Sequence, residues 1–442
     1  GYQAPEIADV GPSAASDLYT VGRALAVLTF RFSGYQGEFK HQLPDLSAVP
    51  LLAEQESFYR ALRRSTDPDP GRRFESASDM AEQLTGVLRE VVAVADQKPR
   101  PAFSTLFSPE LRAIGVAATV LDGQASAGAP HPAPPAAEIV AGLPVPQVDS
   151  GDPAAGYLAT LSTLDSAQRI AALSDAIAGG AGVPPDAADS PETRLALIRE
   201  LIVTGDLAGA QRVLGDQAAA DPGDWRVAWY TGLRSLAADN PDGARAAFDA
   251  VYDALPGELA PKLALAFAAE AAGDPAAAAR YFQLVWTVDH AYVSAAFGLA
   301  RARLAAGDGP GAVAVLTAVP DTSTHHLAAQ VAAVRIQIMA RRDQTKAAAD
   351  DLRAAGGRIG RLKLDAALQE QLTAEVLQAA LDSVTGGVAL AGGELLGCEP
   401  SERALRFGLE RSYRALARLA QDRRRRIELV DMANDVRPRT WS

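Results

Sequence analysis

The chain has 442 residues, 48% of them hydrophobic and 22% charged, with a formal net charge of -12. That balance describes a soluble globular polypeptide of two or three domains, and its acidity argues against non-specific binding to nucleic acid or to anionic membranes. No apolar run reaches the ~18 residues that span a bilayer and no basic segment leads into an apolar one at the start, so the expected location is cytoplasmic. The single cysteine, Cys398, rules out an internal disulfide framework and a multi-cysteine zinc site. As a lone residue it reads as structural.

The first 95 residues carry three signatures in a telling order. Gly1-Tyr2-Gln3-Ala4-Pro5-Glu6 contains Ala-Pro-Glu, the motif that closes the activation segment of protein kinases. Ser16-Asp17-Leu18-Tyr19-Thr20-Val21-Gly22 resembles the start of the long buried kinase helix that follows it. Asp69-Pro70-Gly71-Arg72-Arg73-Phe74 resembles the Asp-Pro-x-x-Arg turn near the end of the catalytic domain. Ser16 is expected to cap a helix through Leu18, Val21, Leu25 and Leu28. Segment 33–50, with Gly34, Gly37 and two prolines, reads as a surface loop. Residues 51–65 read as one amphipathic helix through Leu52, Phe58 and Leu62. Ser76 to Asp79 reads as a capping box opening a helix with Met80, Leu84, Val87, Leu88 and Val91.

The kinase resemblance implies a job for each marked residue. Ala4, Pro5 and Glu6 would end the activation segment, and Glu6 would pair with Arg73 as a staple to the base of the lobe. Asp17 would reach the backbone of a catalytic loop that these residues do not include. Tyr2 would help form the shelf beneath the residue after the phosphoacceptor of a bound substrate peptide. In the plainer alternative, Glu6 and Arg73 are ordinary surface charges.

Phosphoryl transfer also needs a Gly-rich loop over the phosphates, a strand lysine, a catalytic aspartate and Mg²⁺ ligands. Gly-x-Gly-x-x-Gly, His-Arg-Asp, Asp-Phe-Gly and a Walker-type Gly-Lys-Ser/Thr are all lacking in the 442 residues. No catalytic residue is therefore assigned, and the chain by itself is expected to be inactive. It is expected to be a fragment of a longer enzyme that uses ATP and Mg²⁺, rather than a non-catalytic descendant.

Composition changes at Pro99-Arg100-Pro101, opening an expected linker over 96–150. Pro130, Pro132, Pro134, Pro135, Pro144 and Pro146 make Gly128 to Pro146 dense enough to exclude helix and favour an extended spacer. Between the two stretches, Phe103, Phe107, Ile114, Val116 and Val120 are expected to pack on a neighbouring domain.

From about 151 to 350 a period of 34 residues runs without slippage. Asp206, Asn240, Asp274 and Asp308 share it, as do Ala210, Ala244, Ala278 and Ala312. So do Leu214, Phe248, Phe282 and Leu316, and Ile198, Gly232, Ala266 and Ala300. Small residues at two helix crossings with a large apolar one beneath are the tetratricopeptide signature. Pro256 stands where a proline between repeats belongs, and His290 stands at the next such position. A fifth unit is degenerate around Arg342-Asp343. The first helix of each repeat lines the groove, which places Arg199, Trp229, Phe267 and Arg301 along a protein-binding face. Trp229 and Phe267 are also good core candidates. Residues 351–442 supply a helical cap with an apolar stripe of Leu405, Leu409 and Leu416. The run Arg423 to Arg426 reads as a solvated helix end, and His325-His326 lacks further ligands at metal spacing, so no metal is assigned. The fold expected is all-α: a partial kinase C-lobe, a tetratricopeptide solenoid and a helical cap.

Together these features resemble the actinobacterial serine/threonine protein kinase G family. The stretches most like it are Tyr19 to Arg23, Leu84 to Val92, Phe107 to Pro109, Pro256 to Ala266, Ala295 to Arg303 and Leu429 to Asn434. The resemblance implies a rubredoxin-like metal domain and the kinase N-lobe upstream. It also implies phosphorylation of a forkhead-associated-domain regulator of 2-oxoglutarate and glutamate metabolism, and a role in host interaction in pathogens; the repeat groove, for its part, is expected to recruit the protein substrate or a second copy of the chain as a homodimer. Two other readings stay open: a non-catalytic tetratricopeptide scaffold from a truncated or split gene, and a repeat-only adaptor whose first 95 residues are a coincidental bundle.

Overall fold

The computed structural model describes residues 2–119, 133–180, 187–339, 347–390 and 392–438. Among them the chain is all-α, with isolated β-bridges at Phe107–Pro146 and Leu395–Cys398. The expected Pro130 and Pro132 of the spacer, Val120 and Arg342-Asp343 lie outside the described residues. Two compact units result. The first comprises Gly1–Ile114 and Pro134–Ala295, the second Gly115–Ala133 and Ala296–Ser442.

The first unit opens with α1 (Ile7–Val10) and α2 (Ala14–Thr29). The cap of α2 is Ser13 rather than the expected Ser16: Ser13 Oγ accepts from the Ser16 amide, and Ser16 Oγ accepts from the Ser13 amide. Either serine satisfies the composition rule, and the reciprocal pair makes Ser16 the third residue of the box. The 51–65 helix is broken in two, α3 (Pro50–Glu54) and α4 (Glu56–Ser65), with Gln55 non-helical between them. Pro50 starts α3 at a position where its missing N–H costs nothing. Helix α5 (Ala77–Asp96) starts from Ser76, whose Oγ accepts from the Asp79 amide. The loop at 33–50 is pinned from within. Arg23, fully buried, donates to the carbonyls of Tyr35, Phe39 and Gln42 and stacks on Phe32.

Helix α6 (Val116–Thr119) belongs to the second unit. Contrary to expectation, the proline-rich stretch contains a helix, α7 (Ala136–Gly142), because Pro135 takes the N-cap and the next seven residues are free of proline. Phe107 and Ile114 are buried as expected, whereas Phe103 is 98% exposed. Short helices α8 (Ala155–Thr160) and α9 (Ser166–Ile177) lead into three helix pairs. These are α10 (Pro191–Thr204) with α11 (Leu207–Ala220), α12 (Trp225–Ala237) with α13 (Pro241–Ala254), and α14 (Ala260–Ala271) with α15 (Pro275–Val288).

The 34-residue period is a set of identical turns. Asp206, Asn240 and Asp274 cap α11, α13 and α15 by accepting from the amide three residues on. Ala210, Ala244 and Ala278 are buried at the crossings, and Leu214, Phe248 and Phe282 fill the space beneath. Gly232 of α12 is a glycine for a steric reason: a Cβ there would enter the ring of Phe248.

Helix α16 (Val293–Ala305) begins in the first unit, which ends at Ala295; the second unit holds its remainder and α17 (Gly309–Thr317), capped by Asp308, which accepts from Gly311 N–H. Then come α18 (His326–Met339), α19 (Ala347–Ile359), α20 (Ala366–Thr385), α21 (Glu402–Leu419) and α22 (Arg423–Val436). Their shared core holds Val331, Leu352, Leu372, Leu377, Leu405 and Leu409. Arg423 to Arg426 form the exposed first turn of α22, with Arg424 and Arg425 paired to Glu428. Cys398 is buried, and Arg411 donates to its sulfur.

Candidate functional site

At the start of the chain Arg73 is the organising group. Its side chain has no solvent exposure and binds Glu6 through both nitrogens, at 2.6 and 2.9 Å. It also donates to the carbonyls of Ala15 and Asp67, and its guanidinium faces the Tyr19 ring. The hydrogen bonds from Arg73 hold the Glu6 carboxyl below its ordinary value. Ala4 is buried, and its carbonyl accepts from the Ile7 amide. The segment after Ala-Pro-Glu is thereby fastened to the Asp67–Arg73 turn. Tyr2 is exposed and meets Tyr35 edge-on, while its carbonyl accepts from Thr20 Oγ1. Asp17 is exposed, on the same stripe of α2 as Val21 and Leu28, which are 45% and 82% exposed.

A second cluster joins these helices to the repeats inside the first unit. Arg60 of α4 bonds Glu56, Asp249 and Asp253 and lies over the Tyr252 ring, 4.1 Å from its centroid. Burial works against its charge, but the three carboxylates outweigh that and raise its pKa. Arg63 pairs with Asp253, Arg64 donates to the Ala254 carbonyl, and Arg280 of α15 pairs with Glu56. Beneath lies a buried relay. Tyr252 and Ser57 hydroxyls are 2.6 Å apart, Ser57 Oγ donates to Glu90, and Lys262 Nζ reaches Glu90 Oε2 at 2.8 Å. Lys262 also donates to the Pro256 carbonyl. Where α5 crosses the turn before α14, Gly86 and Gly257 let backbone meet backbone; a Cβ on Gly86 would collide with the Gly257 carbonyl.

The four residues expected along a repeat groove fare differently. Trp229 and Phe267 are fully buried, against Phe248 and Phe282 respectively. Arg301 is 2% exposed and donates to the Gly115 carbonyl. These three are buried, a correction to the groove assignment: Trp229 and Phe267 pack on the second helix of their pairs and Arg301 is bonded to the chain before α6. Arg199 alone remains partly accessible, 4.0 Å from Glu200. The face of α12 is covered by residues 104–114, with Phe107 set against Trp225 and Trp229 at 5.0 and 4.8 Å. His326 Nδ1 lies 2.8 Å from the Val319 carbonyl, and among the described residues no cluster could hold a metal ion.

The contact between the first helices and the repeats also has signals in the sequence. Arg60 and Arg63 pair with Asp249 and Asp253, a basic and an acidic helix face of matching spacing. Lys262 stands alone in an alanine and leucine run, where a charge requires a buried partner.

Capped helix pairs at a fixed period, packed in one unit with the helices of residues 7–96, define a tetratricopeptide repeat protein. The Protein kinase G tetratricopeptide repeat family model matches residues 101–440, and the chain belongs to that family. It is 40% identical to the serine/threonine-protein kinase PknG of Mycolicibacterium smegmatis and 39% identical to that of Mycobacterium leprae. Each match covers 99% of this chain and 57% of the relative, so the chain spans little more than half the length of these relatives. No described helix is long and apolar enough to cross a membrane.

Proposed function

We propose that this chain provides the substrate-side lobe and the repeat platform of a serine/threonine protein kinase that uses ATP and Mg²⁺. The observation carrying this reading is the Glu6–Arg73 staple, which fixes the end of an activation segment to the base of the lobe. The open stripe of Asp17, Val21 and Leu28 on α2 supports it, since a complete kinase covers that helix. The phosphate-binding and proton-accepting groups would come from polypeptide other than these 442 residues. The rubredoxin-like metal site implied by the family would lie there too.

In this reading Tyr2 sits near the bound peptide, and the repeats recruit the protein substrate or a second copy of the chain. The family resemblance suggests a forkhead-associated-domain regulator of glutamate metabolism as substrate. Arg199 is the recruiting charge, reaching an acidic group on the partner. The test is direct. The purified 442-residue chain should transfer no phosphate from ATP, while the same residues joined to a Gly-rich loop and catalytic aspartate should label a protein substrate. Labelling by the chain alone, above a contaminant control, would overturn the assignment. Arg199→Glu in the active protein should weaken substrate capture or self-association at least several-fold without changing the melting temperature.

A further inference from the structure

Residues 104–114 form a strap held at several points of the first unit. Gln147 Nε2 donates to the Ser104 and Phe107 carbonyls, and the Phe107 ring sits on Trp225 and Trp229 of α12. Around Phe107 the strap pairs like an added strand: Ser108 N–H donates to the Val145 carbonyl, and Gln147 N–H donates to the Leu106 carbonyl, each at 2.8 Å. Further on, Glu110 Oε2 accepts from the Ser294 amide at the start of α16, and Ile114 N–H donates to Ser294 Oγ.

The fit is incomplete in two places. Glu110 Oε1 is buried with no hydrogen-bond partner, and so is the indole N–H of Trp229 on which Phe107 rests. Burial pushes the Glu110 carboxyl up to about 8; the Ser294 and Val293 contacts only partly oppose this, and the like charge of Asp289 adds to it. Buried polar atoms of folded chains mostly find partners, so two unpartnered ones meeting at one segment call for an account. These contacts are those of a moderate ligand, with main-chain pairing, one aromatic anchor and one acid at a helix N-terminus.

We propose that the strap is a self-ligand of the repeat, exchangeable for an extended segment of a partner protein. That segment would carry an aromatic residue and, three positions later, an acid. This rests on the reading of the repeats as a recruiting platform. The partner's aromatic side chain would take the Phe107 place between Trp225 and Trp229. Its backbone would pair with Val145 and Gln147, and its acid would meet the Ser294 amide.

Hydrogen exchange on the unmodified chain tests the idea without any variant. The amides of Ser108, Ile114 and Gln147 should exchange at least 100-fold faster than those in the middle of α12, and protection equal to α12 would overturn it. A synthetic peptide with the sequence of residues 104–114 provides a second arm, read by tryptophan fluorescence. It should bind Phe107→Ala at least ten-fold more tightly than the unmodified chain, and equal or absent binding to a folded variant would overturn the proposal. Concentration-dependent dimers formed by strap exchange would also overturn it, because the occupant would then be a second copy. If Phe107→Ala does not fold, the exchange measurement decides alone. Loss of substrate capture on Arg199→Glu, with a strap that does not exchange, would leave recruitment standing and remove only the self-ligand.

Discussion

Arg73 shows how one buried cation can organise a surface segment. Its partner Glu6 is one of several acceptors, so the two truncations should differ. Glu6→Ala leaves a guanidinium still bonded to the Ala15 and Asp67 carbonyls and should cost about 1–3 kcal/mol. Arg73→Ala strands those carbonyls together with a carboxylate and should cost about 3–5 kcal/mol. A denaturation cycle should show the double variant recovering part of the sum, whereas strict additivity would deny the coupling. Because the folded pKa of Glu6 is depressed, its contribution is present above the unfolded value of about 4.3 and is lost as pH falls through the folded value. Glu110 has the opposite sign. With its folded pKa raised to about 8, the stability it leaves intact below pH ~4.5 is lost as pH rises toward 8. Glu110→Gln should therefore flatten the stability profile between those limits and stabilise the chain at pH 8 by on the order of 1–3 kcal/mol, as thermal unfolding across pH would measure. The neighbouring acids Asp289 and Glu258, also raised by burial, keep some slope in place.

Between elements, the lobe and the repeats meet through charges that burial has made interdependent. Lys262→Met would leave Glu90 buried with only the Ser57 hydroxyl as its partner, and should destabilise by about 3–5 kcal/mol. Adding Glu90→Gln should return much of that loss, in urea unfolding of the double variant. The repeat period was legible in the sequence because caps and crossings are local: Asp206, Asn240 and Asp274 act on amides three residues away. The Ala-Pro-Glu and Asp-Pro-x-x-Arg signatures were legible for a similar reason, as each is a short turn. What was not legible depends on three-dimensional neighbours. Trp229 and Phe267 have the same helical spacing whether they face a groove or a core, and only packing against Phe248 and Phe282 decides. The proline count around α7 failed because position, not density, governs: Pro135 begins the helix and Pro144 follows its end.

For the molecule as a whole, the lobe and the first three helix pairs share one compact unit, so the lobe is not an appendage. A chain lacking residues 1–96 would expose Tyr252 and Lys262, both now fully buried. Calorimetry should show its repeats melting at least several degrees lower than in the complete chain, and an unchanged melting temperature would show the lobe to be dispensable. Arg301 belongs to the same argument at the other end. Reversing its charge should unfold part of the second unit rather than merely weaken binding, because a carboxylate there would face the Gly115 carbonyl.

The meeting of Gly86 with Gly257 limits how the two parts can be exchanged. Most interfaces drift over time because a side chain that grows on one side can be answered by one that shrinks on the other. Here neither side has a side chain to shrink, so no second substitution can compensate for the first. A hybrid that joins this lobe to the repeats of a relative should assemble only if the graft supplies glycine opposite Gly86. The same holds for grafts in the other direction, which makes two residues without side chains the strictest compatibility test in the chain.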